Sequence, residues 1–161
     1  MHIVLARPHY YTHLITPPLG LGYLAAYLKR AGHSVKIIDG VNRGLSHEEI
    51  AREARAADLV GVSFMSSFYE AACALLEKLK QEQIRVVVGG SHATALPYQT
   101  LQTTRADFVI AGEGEHTLVE LVQAIESGHS PDTINGLVTR TNTLRKRELI
   151  EDINTLPFPD W

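Results

Sequence analysis

Four stretches of this 161-residue chain carry residue types able to hold or transform a ligand. They are Ser63-Phe64-Met65-Ser66, Gly89-Gly90-Ser91-His92-Ala93, Gly112-Glu113-Gly114-Glu115-His116, and the loop Arg7 to Thr16 with its aromatic and imidazole side chains. A serine near histidines suggests acyl transfer, but the G-x-S-x-G elbow that exposes such a serine is not present around Val62-Ser63-Phe64. Ser63 taken alone is better explained as a hydroxyl satisfying the loop backbone. Cys73 lies between Ala72 and Ala74 at a helical position, where a thiol serves as a small packing residue. His92, Glu113, Glu115 and His116 are metal-donor types. Yet carboxylates at a helix start answer its macrodipole and free amides, and a loop hydrogen bond accounts for His92.

Gly20-Leu21-Gly22-Tyr23-Leu24-Ala25 fits G-x-G-x-x-A, and Asp39 closes a β pattern where a ribose-binding acid would sit. The dinucleotide fingerprint, however, needs its glycines in the turn directly after the first strand, and here about a dozen residues including Pro17-Pro18 intervene. Gly20 and Gly22 are instead expected in the first turns of a helix, where a missing side chain lets another segment or a ligand approach. No G-x-x-x-x-G-K-[ST] motif occurs.

These stretches share one positional feature: each follows a predicted strand. Ile84, Val86, Val87 and Val88 form a β-branched run that suits a central parallel strand buried on both faces, ending at Gly89-Gly90. His2–Ala6, Val35–Ile38, Leu59–Phe64 and Phe108–Ala111 supply four more. Helices alternate with them: one opened by Pro17-Pro18, one from the Ser46/Glu49 capping box to about Ala57, Tyr69–Gln81, a short piece after Pro97, and one carrying Leu118, Leu121, Val122 and Ile125. Five β-α units predict an α/β, flavodoxin-like, doubly wound parallel sheet of five strands in the order 2-1-3-4-5. Ligands of such sheets bind at the carboxyl ends of the strands. Ile134–Arg140 and Leu144–Ile150, flanking Thr141-Asn142-Thr143, predict an appended β-hairpin. LPFPDW at the end looks like a linker towards a further domain, making the chain the N-terminal piece of a longer protein.

Composition narrows the partners. With 15 basic and 18 acidic residues the formal charge is -3, which gives no electrostatic footprint for nucleic acid or an anionic membrane. The single cysteine rules out an internal disulfide and a cysteine-built cluster within these residues, and points to a cytoplasmic protein.

The series PPLGLGYLAAYLKRAGHSVKIID, DLVGVSFMS, VVVGGSHAT, DFVIAGEGEHTLVEL and INTLPFPDW resembles the cobalamin-binding N-terminal domain of B12-dependent radical SAM proteins, a group of methyltransferases and the anaerobic magnesium-protoporphyrin monomethyl ester cyclase. The resemblance covers essentially the whole chain. It implies a cobalamin-binding domain over residues 1–129, the hairpin over 130–150, and a linker over 151–161 leading to a radical SAM domain that would hold S-adenosylmethionine and a 4Fe-4S cluster.

It further implies that cobalamin is held with its nucleotide tail detached from cobalt and threaded among the strand ends. Gly89 and Gly90 would give the tail room, Ser63 a hydroxyl and Met65 a soft wall, with Phe64, Ser66, His92 and Ala93 around them. Amides around Gly112 to Glu115, those of Gly112, Glu113 and Gly114 among them, would meet the ribose or phosphate. The loop Arg7 to Thr16 with Tyr11, and Leu19 to Gly22 with Leu19 and Gly20, would lie beneath the corrin. The D-x-H-x-x-G motif whose histidine ligates cobalt in methionine synthase-type domains is lacking, so His9 and His13 are not expected to coordinate the metal. Gly90→Val is expected to block the cofactor and spare the fold. Two rivals remain at this point: a stand-alone binding or sensor module of the same fold, and a dinucleotide-dependent oxidoreductase domain.

Overall fold

The computed structural model describes residues 1–161. Its centre is one sheet of β1 (His2–Arg7), β2 (Ser34–Asp39), β3 (Leu59–Ser63), β4 (Val86–Gly89), β5 (Phe108–Ile110) and β6 (Leu137–Val138), in the order β2-β1-β3-β4-β5-β6. The first five are parallel, in the flavodoxin-like order expected. The sixth is antiparallel to β5, pairing Val138 with Val109 and Leu137 with Ile110.

Strand alternation divides the apolar runs between two cores. Val4, Val60, Val86 and Val88 face one layer, covered by α3 (His47–Glu53), α4 (Tyr69–Gln81), α5 (Ser91–Ala95) and α6 (Pro97–Thr103). Ile3, Leu5, Leu59 and Val87 face the other, covered by α1 (Leu19–Arg30) and α7 (Glu115–Ser127). Leu75, Leu76 and Leu79, the stripe expected on α4, are fully buried. Each such side chain contributes about 1.5–3 kcal/mol. The capping box forms as expected, with Ser46 accepting from Glu49 N–H while the Glu49 carboxylate accepts from Ser46 N–H. An unexpected single turn, α2 (Gly40–Arg43), follows β2 because the Asp39 carboxylate accepts from the amides of Val41 and Asn42.

The appended hairpin is corrected: only its first arm forms a strand. Asn142 folds its side chain back so that Oδ1 accepts from Thr139 N–H at 2.9 Å and Nδ2 donates to Leu137 O at 3.0 Å. Those are backbone groups that a second strand would have paired. One rung survives, Gly136 N–H to Arg145 O at 2.7 Å, and residues 144–150 otherwise run irregularly. Leu137 and Val138 belong to the same two cores as the first five strands.

Candidate cofactor site

At the carboxyl ends of the strands, on the α1/α7 side, a slot of about 200 Å³ opens between Gly20, Leu21 and Leu24 of α1 and the segment Gly112–Glu115 with Leu118 of α7. Its floor is the ends of β3 and β4. Alternation explains which residues point there: Leu59 and Val87 face the α1/α7 core, so Gly61, Ser63 and Gly89 do too. A second, shallower cavity of about 230 Å³ adjoins it under the loop before α1, lined by Tyr10, Leu19, Phe64, Met65 and Phe68 among others. Gly20, Leu21, Ser63 and Gly90 line both, which makes them one continuous recess. Together the volumes fall within the roughly 300–1,000 Å³ of small-molecule sites.

Absent side chains keep the recess open. A Cβ built on Gly20 or Gly112 would meet nothing within 4 Å, and one on Gly89 would meet only Ile110 O at 3.9 Å. Gly90 differs. It shares a positive φ (+98°) with Gly112 (+91°), but a Cβ on Gly90 would lie 2.5 Å from Phe64 O and 2.9 Å from Phe64 N. Gly90 is thus bare because the β3 loop crosses it, whatever else occupies the site. The slot lining contains no lysine, arginine or histidine, and its charged members are Glu113 and Glu115. A flat neutral ring suits such a lining; a pyrophosphate does not.

The structure gathers Leu19, Gly20, Ser63, Phe64, Met65, Gly89, Gly90, Gly112, Glu113 and Gly114 around this recess. It places the other four expected residues elsewhere. Ala93 is fully buried in the core on the opposite face of the sheet. His92 packs behind Phe64 and Tyr69, at centroid distances of 5.3 and 4.9 Å, with Nδ1 3.0 Å from Ser66 Oγ. Ser66 is therefore engaged with His92 rather than with the recess. Tyr11 is 83% exposed on the loop, edge-on to His13. His9 turns away as well, its Nδ1 3.0 Å from Gly40 O. Nor do the metal-donor types converge: His116 is edge-on to Tyr27, and Glu113 accepts from Ile150 N–H at 2.7 Å.

Reading along the chain misses Leu24 and Phe68, and reaches Arg7, Tyr10 and Leu21 only as members of the stretches Arg7–Thr16 and Leu19–Gly22, with no role of their own. Arg7 is buried and forks onto Asp39, Nε to Oδ1 at 2.7 Å and Nη2 to Oδ2 at 2.6 Å, while Nη1 donates to Thr16 O at 2.8 Å. A bidentate guanidinium–carboxylate pair is among the strong polar contacts, and here a third N–H of the same group holds Thr16 O. It pins both ends of the long loop and occupies the acid that a ribose would need. Tyr10 stacks on Phe68 at 3.5 Å, joining that loop to the one after β3. Leu24 is legible only as a core-facing helix position, because the stripe it shares with Leu21 serves the core below and the slot above.

A family model described as the B12 binding domain matches residues 9–122. An uncharacterized methyltransferase of Pyrococcus horikoshii is 37% identical over 154 residues, 90% of this chain and 33% of that protein. The anaerobic magnesium-protoporphyrin IX monomethyl ester cyclase of Cereibacter sphaeroides is 29% identical, over 100% of this chain and 29% of that enzyme. Among solved structures, the cobalamin-dependent S-adenosylmethionine radical enzyme OxsB with aqua-cobalamin bound superposes with a TM-score of 0.86 at 20% identity, covering 99% of this chain and 24% of that one. The chain thus spans a third or less of each relative's length. No helix is long and apolar enough to cross a membrane. With a family match over most of its length and a glycine-lined recess at the strand ends, the chain belongs to the B12 binding domain family.

Proposed function

We propose that this chain holds cobalamin base-off and His-off, as the cofactor-binding domain of a cytoplasmic radical SAM enzyme of the methyltransferase or cyclase kind. The observation that carries the reading is the recess itself: a slot kept open by Gly20, Gly89 and Gly112, continuous with a shallow apolar face. The slot takes the nucleotide tail. Ser63, at its junction with the shallow face, offers the hydroxyl, and Leu24 and Leu118 enclose the aromatic base. Leu19, Met65 and the Tyr10–Phe68 stack lie under the corrin. Cobalamin, when bound, supplies a cobalt centre able to carry a transferable methyl group. The chain's own residues bind and orient it, and exclude water from the tail. The rest of the catalytic machinery belongs to a partner radical SAM domain of the same protein. Asp39 is committed to Arg7 and no cationic group lines the slot, which disfavours the dinucleotide alternative.

His9 is held to Gly40 and His13 is exposed beside Tyr11, so neither is presented to the recess. Hydroxocobalamin bound to the chain is expected to lose the absorption signature of benzimidazole coordination. After reduction to cobalt(II), its EPR spectrum should show no nitrogen hyperfine splitting, in the parent and in a His9→Ala/His13→Ala double variant alike. A base-on spectrum contradicts the tail-in-slot arrangement. Splitting that is present in the parent and lost in the variant contradicts the His-off one.

A further inference from the structure

The segment Ile150 to Trp161 does not run free. Its first residue donates N–H to Glu113 Oε2 at 2.7 Å, on one wall of the slot. Its end lies on the other wall: Asp160 N–H donates to Gly22 O at 3.1 Å, and the Asp160 carboxylate pairs with Lys29 Nζ at 2.9 Å. Between them Thr155 lies over the seam where Tyr27 of α1 meets His116 of α7 edge-on at 5.2 Å. Pro159 and Trp161 cover Gly22 so closely that a Cβ there would stand 2.8 Å from Pro159 Cβ and 3.2 Å from the indole.

Both fastening points need fastening. The first turn of α1 has Pro18 at its N-cap with no side-chain cap bond, and holds two glycines, Gly20 and Gly22, which favour the helix least after proline. Glu113 sits between Gly112, at φ +91°, and Gly114, so its loop is equally permissive. Gly20, Leu21 and Glu113 line the slot, immediately beside or at the points the segment grips.

We propose that Ile150–Trp161 is a strap that ties the two walls of the cofactor slot together, so that strap docking and cobalamin binding strengthen each other. The proposal rests on the cobalamin reading above. Coupling of this kind is reciprocal: whatever loosens the strap weakens cofactor binding, and bound cofactor tightens the strap. Whatever engages Phe158 or Trp161 then acts on cofactor retention through the strap, without touching the cofactor.

Trp161 is the only tryptophan, so its emission reports strap docking directly. In the full chain, Gly22→Ala should displace Pro159 and Trp161 while improving the helix. The expected result is red-shifted, acrylamide-accessible Trp161 emission, an undiminished thermal midpoint, and cobalamin affinity at least about fivefold weaker, the lower end of measured site-to-site coupling. Asp160→Lys, which sets like charges against each other at Lys29, should do the same without altering α1. In the parent, hydroxocobalamin should slow amide hydrogen exchange at Ile150 and Asp160. Released Trp161 with parental affinity in both variants overturns the proposal, as does exchange at those amides that ignores the cofactor. A parent chain that fails to bind hydroxocobalamin refutes the cobalamin reading itself, a result seen before any variant is made.

Discussion

Gly90→Val is expected to destabilise the apo domain severely, with or without cobalamin. At φ +98° and ψ -177° Gly90 occupies a region that side-chain-bearing residues essentially do not adopt, at a cost on the order of 1–3 kcal/mol. The new Cβ would also stand 2.5 Å from Phe64 O, and because the obstacle is backbone, relief requires moving the β3 loop, for roughly a further 1–3 kcal/mol. Against a total stability of about 5–15 kcal/mol this is a large fraction. The measurement is thermal or urea unfolding of the apo variant. A midpoint equal to the parent's, with only affinity lost, would return Gly90 to the tail-pocket role that the sequence suggested.

Gly89→Val should behave in the opposite way. Gly89 ends β4 outside the left-handed region, and a Cβ there meets only Ile110 O at 3.9 Å, so the strand accepts a β-branched residue without strain. Its side chain then projects into the slot. Cobalamin affinity should fall by roughly five- to 150-fold, the equivalent of about 1–3 kcal/mol of overpacking, while apo stability stays level or rises as the unfolded chain loses glycine's freedom. Titration with hydroxocobalamin beside apo unfolding checks both halves. Undiminished affinity would mean that the tail does not pass Gly89.

The contrast between these neighbouring glycines shows what a linear reading reaches. Gly89-Gly90 was recognisable as the end of a buried β-branched strand, and Ser63 and Met65 as the end of another, because strand alternation and sheet polarity are local rules with global consequences. The sheet order and the span of Tyr69–Gln81 follow from the same rules. Which glycine faces a cavity and which faces the Phe64 backbone depends on the loop after the neighbouring strand β3, remote in sequence, and no local pattern carries that. His92 and Ala93 read as part of the motif, yet the turn of α5 that follows Gly90 swings them into the opposite core. Arg7 and Asp39 end adjacent strands, so their pairing becomes legible only once β1 and β2 are known to be neighbours in register. The second hairpin arm failed because Asn142 competes for the strand's hydrogen bonds, the usual way Asn side chains override a β pattern. The segment 151–161 reads as a linker from its two prolines and the aromatics Phe158 and Trp161, whereas its contact with α1 depends on the absence of a side chain at Gly22, which its own residues do not show.

The central claim is that the slot between α1 and α7 receives the nucleotide tail of cobalamin. The most direct test compares, by titration calorimetry, the affinity of the chain for cobalamin with that for cobinamide, which has the corrin but lacks the nucleotide. A filled slot predicts markedly tighter binding of cobalamin, and a difference that shrinks in the Gly89→Val variant. Equal affinities for the two corrinoids would contradict it.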